Sequence, residues 1–500
     1  GTPTTGRPET LENLQQQREP TMTHHTASRN AERLRERLEA VGQAHLLNFY
    51  DGLDPQQQDS LLGQIAALDI EALPKLVADY VERKPAFDAA EHDIKPPTSI
   101  AHDDPSWDRD RYRSEGETLL AEGKVAALTV AGGQGSRLGY DGPKGCYPGG
   151  AVTGKPLFRC LAEWILHARQ RFGKPVPWYI MTSPLNDQQT RDFFREHDFF
   201  GLPQADVTFF TQGTMPAFDI NTGKVLLAAK DTVATSPDGH GGTIKALLKS
   251  GALDDLASRG IEHLSYVQID NPLARVIDPV FLGLHAKAQG SSAEMSSKAI
   301  AKTEPDEKVG VLCSVDGRTG VIEYSDLPAD LAARRDESGR LTLRAGSTAI
   351  HLIGRRFLET LTASGEVDLP FHRAEKNMAC IDPDSGLPAD TEDKNAVKLE
   401  MFIFDALPKA EGSIVYEIDR VDEFAPIKNA EGKDSPATSA RLQTERAARW
   451  LESRGVSVPR TPEGEPDCTL EVSPLTATGP DQLSPGAIPD AIKPGDSLAL

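Results

Sequence analysis

Cysteine is scarce and scattered. The 500 residues hold five cysteines, Cys146, Cys160, Cys313, Cys380 and Cys468. They are odd in number and form no CxxC pair, which argues against a zinc site or a disulfide framework. Long apolar runs are missing as well: none approaches the ~20 residues of a membrane-spanning helix. The first residues lack the basic-then-apolar plan of a secretory signal. Positive charge is in deficit, with 54 Lys and Arg against 75 Asp and Glu and a formal charge of -21. A nucleic-acid binder needs a basic footprint, so neither nucleic acid nor membrane is an expected partner. A reducing, cytoplasmic compartment is expected. A polyanionic substrate would require a local basic pocket in this acidic chain.

What is present is a soluble, globular composition, 38% hydrophobic and 26% charged. At roughly 100–200 residues per domain the length allows about two to four units. Residues 1–28 are rich in Thr, Gln, Glu and Pro without periodicity and read as a disordered tail. From Asn30, Leu34, Leu38, Val41 and His45 recur at helical spacing. Asp54-Pro55 reads as an N-cap followed by proline at the first helical position, and Leu61, Ile65 and Leu68 line that second helix. This makes 29–110 an N-terminal helical region, with 86–106 as a connector around Lys95-Pro96-Pro97.

Residues 111–435 alternate short apolar strands with helices. Val125–Val130, Trp178–Met181, Val207–Phe210 and Leu264–Ile269 are strand candidates; 157–170 and 187–197 read as helices. Such alternation predicts an α/β fold with a mixed, mostly parallel sheet, whose ligands sit beyond the carboxyl ends of the strands. From 436 a helix over 439–454 is followed by Pro459, Pro462, Pro466, Pro474, Pro480, Pro485, Pro489 and Pro494. That density excludes long helices and predicts a small C-terminal β domain.

The densest chemical signal follows the first of these strands: Val130-Ala131-Gly132-Gly133-Gln134-Gly135-Ser136-Arg137-Leu138-Gly139, then Pro143-Lys144-Gly145. Glycines let a backbone approach phosphate closely, and successive N–H groups point at its oxygens. A dinucleotide fingerprint needs GxGxxG and an acid about 20 residues on. Here the third glycine is displaced to Gly139, and residues 150–158 carry no acid. A Walker loop needs Gly-Lys-Ser/Thr, but Lys144 is preceded by Pro143. Arg137 and Lys144 instead place two cations around a phosphate-sized space.

That longer string resembles the UDP-N-acetylglucosamine pyrophosphorylase branch of the UTP-dependent sugar 1-phosphate uridylyltransferases. Further segments resemble it in the same order. They are Trp178-Tyr179-Ile180-Met181-Thr182-Ser183, Phe209–Pro216, Pro237-Asp238-Gly239-His240-Gly241-Gly242, Val267–Asn271, Glu323-Tyr324-Ser325, His372–Lys376, Lys398–Asp405 and Phe424–Asn429. Weaker similarity continues to Glu471-Val472-Ser473-Pro474-Leu475. The resemblance implies a nucleotidyltransferase, Rossmann-like fold and transfer of a uridylyl group from UTP to a sugar 1-phosphate, N-acetylglucosamine 1-phosphate first among them, with release of pyrophosphate.

It also implies roles. Val130, Ala131, Gly132 and Gly133 would bind the uridine end, and Lys144 the UTP phosphates, with Arg137 a structural or pyrophosphate-holding residue. Gln212 and Gly239 would contact uracil. Asp270, directly after an apolar strand, is placed to hold a Mg²⁺ bridging the phosphates; Asp405 is a second candidate carboxylate. Glu323 and Tyr324 match the family's sugar-binding pair, and Lys376 and Lys428 its phosphate-binding lysines, Lys428 for the sugar phosphate. Positioning and charge neutralisation dominate such chemistry, so His372 reads as structural.

Two positions depart from the family. His240 and Ser347 stand where it carries the Asn residues that contact the N-acetylhexosamine. Glucose 1-phosphate and a broader set of sugar phosphates therefore remain open, as does a non-catalytic nucleotide-sugar sensor. The oligomeric state is not written in the sequence.

Overall fold

The computed structural model describes residues 19–85, 87–389 and 392–500, with side chains from residue 29 onward. Contacts sort these residues into two compact units, each assembled from separate stretches of chain. One comprises residues up to Pro85 with Thr214–Asp238 and Phe371–Glu400; the other comprises Ala86–Gly213, Gly239–Pro370 and Met401–Leu500.

The second unit carries an eleven-stranded sheet. Its strands include β1 (Ser99–Ala101), β2 (Val125–Val130), β3 (Trp178–Thr182), β4 (Val207–Thr211), β5 (His263–Gln268), β6 (Met295–Ala301), β7 (Val311–Val315), β8 (Arg318–Ile322), β9 (Ala345–Gly354) and β10 (Val415–Ile418). The spatial order is β1-β10-β6-β9-β5-β2-β3-β4, with β7 and β8 a hairpin off β9. All neighbours along this path are parallel except β9, which runs antiparallel to both β5 and β6. This is the mixed, mostly parallel α/β sheet expected.

Strands β2, β3 and β5 are almost wholly buried, as strands with both faces covered must be. Helices α1 (Arg109–Ala121), α2 (Leu157–Phe172) and α3 (Pro279–Lys287) bury Leu120, Phe158, Leu161, Ile165 and Phe281 in the same core as Trp178, Ile180 and Val267. From β2 the chain moves outward to β3 and β4, then returns to β5 on the other side of β2. A switch point therefore lies between β2 and β5, where open α/β sheets form their ligand crevices. The ends of these strands are level, with Val130 opposite Gln268.

Beyond the sheet, α4 (Pro436–Ser453) leads to β11 (Thr469–Glu471), which pairs in parallel with Ser497–Ala499. Trp450, Leu451, Leu470, Val472 and Leu483 share a cluster there.

In the first unit, Asp54 caps the helix Pro55–Ala66 with a full capping box, and Leu61 and Ile65 are buried as expected. The preceding helix differs from expectation at both ends. It spans Glu19–Ala40, so it starts before Asn30 in a stretch whose composition gave no apolar signal. It stops before Val41 and His45, because Gly42 takes a φ of 73° that breaks the helical path. Of the tail expected at 1–28, residues 19–28 belong instead to this helix, and 1–18 lie outside the described residues. The 86–106 connector also holds unexpected strands, Ile94–Lys95 and β1, which frame Pro96-Pro97 at sheet edges where proline is tolerated.

Candidate active site

The glycine loop leaves β2 at the switch point and closes on itself. The Ala131 N–H donates to the Met181 carbonyl at 2.8 Å, and the Lys144 N–H returns to the Gly133 carbonyl at 3.0 Å. Asn186 clamps the loop from below β3: its Nδ2 donates to the Ala131 and Gly133 carbonyls at 3.0 and 3.2 Å, while its Oδ1 accepts from the Ser183 N–H. Asn186 is fully buried. The sequence reading missed it, because a side chain that bonds backbone some 55 residues away leaves no periodic trace.

Gly132 is required where it stands. A Cβ there would lie 2.8 Å from Gln212 Oε1. Gln212 is itself buried, its backbone tied to Thr182 and its Nε2 donating to the Gly239 carbonyl at 2.7 Å. The residues assigned to the uridine end (Val130, Ala131, Gly132, Gly133, Gln212 and Gly239) thus converge, with Gly239 turning at a φ of 85°.

At the phosphate end, Lys144 Nζ lies 3.6 Å from Asp270 Oδ2, and both side chains retain slight exposure, 16% and 15%. One follows β2 and the other β5. Asn271 then staples this turn to the segment that carries Lys428. Its Nδ2 donates to the Glu423 carbonyl at 2.7 Å, its Oδ1 accepts from the Ala425 N–H at 3.0 Å, and the Ile427 N–H donates to the Asp270 carbonyl at 2.8 Å. Lys428 is therefore registered to Asp270 through the backbone. Asn271 was visible in the sequence as part of a motif, but its bracing role was not. Arg137 is exposed in the short turn Ser136–Leu138 and makes no ion pair among the described residues.

Nucleophilic chemistry beside Lys144 finds no support. Burial pushes the neighbouring Cys146 thiol up to about 12, so it stays protonated. Burial also raises Tyr266, which lies beside Gln268 and Asp270 and remains a phenol. The phosphate end offers cations, backbone amides and the Asp270 carboxylate.

Two of the proposed sugar residues, Ser347 and Glu323, meet at Gly310. The Ser347 N–H donates to the Gly310 carbonyl at 2.8 Å, and a Cβ on Gly310 would lie 3.2 Å from Glu323 Oε1. Tyr324 is 49% exposed next to Glu323. His240 stacks on Phe402 with ring centroids 5.0 Å apart, and its Nδ1 accepts from the Ile403 N–H at 3.1 Å. Its loop is pressed onto this segment, since a Cβ on Gly241 would meet Met401 and Phe402 backbone at 2.7 Å. Asp405 is half-buried in the turn Ile403–Lys409, its N–H bonded to the Phe402 carbonyl. Lys376 belongs to the other unit, at the exposed end of the strand Phe371–Lys376.

Among the described residues, no group of three or more His, Cys, Asp or Glu side chains could hold a metal ion. A Mg²⁺ that arrives on nucleotide phosphates needs only one or two protein carboxylates. The accessible Asp270 carboxylate fits that need.

A glycine loop closed onto a lysine at the switch point of a parallel sheet, facing a carboxylate from the adjacent strand, defines a nucleotide-binding α/β protein of the nucleotidyltransferase type. Residues 73–437 match the family described as UTP–glucose-1-phosphate uridylyltransferase, and the chain belongs to it. Human UDP-N-acetylhexosamine pyrophosphorylase-like protein 1 is 37% identical over 89% of this chain and 92% of its own length. The UDP-N-acetylglucosamine pyrophosphorylase of Saccharomyces cerevisiae is 33% identical over 84% of this chain and 90% of its own. Among solved structures, the uridine diphosphate N-acetylglucosamine pyrophosphorylase of Trypanosoma brucei superposes with a TM-score of 0.75 at 26% identity, covering 91% of this chain and 94% of that one. No helix among the described residues is long and apolar enough to cross a membrane.

Proposed function

We propose that the chain transfers a uridylyl group from UTP to N-acetylglucosamine 1-phosphate, making UDP-N-acetylglucosamine and pyrophosphate. The observation that carries this reading is the Lys144–Asp270 pair at the switch point, with Lys428 tied to the same turn. The relatives' names supply the sugar.

In this reading a phosphate oxygen of the sugar 1-phosphate attacks the α-phosphorus of UTP in line. A new P–O bond forms as the bond to the bridging α,β-oxygen breaks, and pyrophosphate leaves. The attacking oxygen is already ionised, so no general base is needed. Lys144 neutralises charge on the UTP phosphates, Arg137 the pyrophosphate end, and Lys428 the incoming phosphate. Gln212 and the Gly239 backbone read the uracil edge; Glu323, Tyr324 and Ser347 receive sugar hydroxyls. Asp270, with Asp405 as a second candidate, would hold Mg²⁺, which would supply charge neutralisation when bound. Most of the barrier reduction then comes from positioning and electrostatics.

A second reading, glucose 1-phosphate, draws on His240. Its Nδ1 is committed to the Ile403 N–H and its ring to Phe402, so it does not offer a sugar what an asparagine amide would. Pyrophosphate release from UTP and Mg²⁺ with a panel of sugar 1-phosphates tests both. Higher kcat/KM for N-acetylglucosamine 1-phosphate is expected; preference for glucose 1-phosphate would favour the second reading, and no pyrophosphate with any sugar would refute both. Lys144→Ala should lower kcat/KM at least about a hundredfold with unchanged melting. Wild-type turnover would remove Lys144 from the mechanism.

A further inference from the structure

The segment immediately after Lys144 is a hairpin with little structure of its own to hold it. The Tyr147 N–H bonds the Lys144 carbonyl, the Leu157 N–H bonds the Tyr147 carbonyl, and the Gly149 and Gly150 N–H groups both reach the Lys155 carbonyl. Its tip, around Ala151 and Gly154, makes few bonds within the hairpin.

Two side chains from the C-terminal segment grip that tip. Glu471, at the end of β11 and 4% exposed, accepts from the Val152 N–H at 2.8 Å and the Thr153 N–H at 2.9 Å. It also accepts from the Thr153 hydroxyl at 2.9 Å and pairs with Lys155 Nζ at 3.0 Å. Gln443 on α4, 5% exposed, donates from Nε2 to the Gly149 carbonyl at 2.8 Å and accepts at Oε1 from the Ala151 N–H at 3.1 Å. Lys155 also meets Glu163 at 2.5 Å, and Glu163 accepts from the Ser473 hydroxyl at 2.8 Å. Gly150 is needed for this approach: a Cβ there would lie 3.0 Å from Glu471 Oε2.

The same helix reaches the other lysine. One turn before Gln443, the Ser439 hydroxyl donates to the Ala425 carbonyl at 2.7 Å, and the Ala425 N–H is held by Asn271. A single face of α4 therefore contacts the hairpin that follows Lys144 and the extended segment that precedes Lys428. Burial works to raise the Glu471 pKa, but Lys155 and the Thr153 and Val152 amides outweigh it and hold the carboxyl below its usual range. The acceptor is thus a full carboxylate at neutral pH.

We propose that Glu471, with Gln443, is a positioning residue for uridylyl transfer: the C-terminal segment locks the hairpin at 147–157 and thereby fixes Lys144 against the UTP phosphates. This rests on the reading that Lys144 binds UTP. It gives a task to the Glu471-Val472-Ser473-Pro474-Leu475 stretch, which none of the substrate-facing assignments uses. A displacement of about 1 Å in a phosphate-binding group is enough to cost orders of magnitude in rate.

The test is steady-state kinetics on the full chain with Glu471→Gln, Lys144→Ala and the double variant. Glu471→Gln keeps the side chain's size but turns an amide N–H₂ toward backbone donors. The expected result is a rise of about tenfold or more in KM for UTP, a KM for the sugar phosphate within twofold of wild type, and no further loss when Glu471→Gln is added to Lys144→Ala. A residue that acts through Lys144 has nothing left to act on once that lysine is gone. A lower melting temperature with unchanged KM for UTP would overturn the proposal. So would the same fold-loss in the presence and absence of Lys144. If Glu471→Gln fails to fold, Gln443→Ala takes its place with the same expected and overturning outcomes. Wild-type protein that releases no pyrophosphate with any sugar phosphate would refute the uridylyltransferase reading instead. In that case calorimetric titration of UTP into wild type and Glu471→Gln decides the positioning claim, equal affinity overturning it.

Discussion

A single methyl group at residue 132 would test the packing of the uridine end. A Cβ there would sit 2.8 Å from the Gln212 amide oxygen, at the tip of a side chain, so the amide rather than the backbone must give way. Moving it breaks the 2.7 Å bond to the Gly239 carbonyl. Gly132→Ala should therefore raise KM for UTP roughly tenfold, about the value of one good hydrogen bond to a ligand. A stability loss of about 1–3 kcal/mol should accompany it, since the buried Gly239 carbonyl loses its partner. UTP titration by calorimetry checks the nucleotide effect, and wild-type affinity would mean that Gln212 takes no part in nucleotide binding. Candidate site residues could be named from the sequence only where a residue lies in a dense local pattern. Lys144 sat beside glycines and a proline. Asn186 acts on backbone far away in sequence and nothing local marks it, while Glu471 lay in a segment of weak similarity that gave no hint of its distant backbone partners.

At the scale of elements, the Asp270 turn and the segment from Glu423 to Lys428 are joined by the Ile427–Asp270 backbone bond and by one buried side-chain amide. Asn271 is 4% exposed and satisfies both the Glu423 carbonyl and the Ala425 N–H. Asn271→Leu fills the space but strands both partners. An unsatisfied buried backbone group costs about 1–3 kcal/mol, so a loss of roughly 2 kcal/mol or more is expected in urea unfolding. A fall in kcat should accompany it, because Asp270 and Lys428 lose their common register. Full kcat in a destabilised variant would show that the staple serves folding alone. Of the sheet's strands, only β2, β3, β4 and β5 were legible in the sequence, because their short runs are rich in apolar residues, with β2, β3 and β5 almost wholly buried. The reversed direction of β9 was not, since strand polarity is set by connections and leaves no mark on composition. Edge strand β1 was hidden beside Pro96-Pro97, where propensity pointed to a loop.

For the molecule as a whole, the -21 charge surrounds an interior that holds ionised and neutralised groups side by side, and these set its response to acid. Lys298 is fully buried between Asp278 at 2.6 Å and Glu423 at 2.5 Å. Burial works to raise Asp278, yet Lys298 and Arg275 bring it down to about 2 from an ordinary 3.8. His351 is the opposite case. Burial, with His240 nearby, lowers it from 6.5 to about 3, and its Nδ1 lies 2.8 Å from the Ser297 hydroxyl. His285, buried beside His263, is likewise held neutral. For each depressed group the unfolded chain binds the proton first, so stability is complete above the unfolded pKa and is lost as pH falls toward the folded one. The histidine contribution drains away from about pH 6.5 downward, and that of Asp278 only below about pH 4. Melting temperature should thus begin to fall well above the carboxylate range. His351→Gln keeps a hydrogen-bonding partner for Ser297 but cannot titrate, so its melting temperature should decline less between pH 7 and pH 5 than that of the wild type. Parallel melting curves across that interval would assign the early acid loss to other groups.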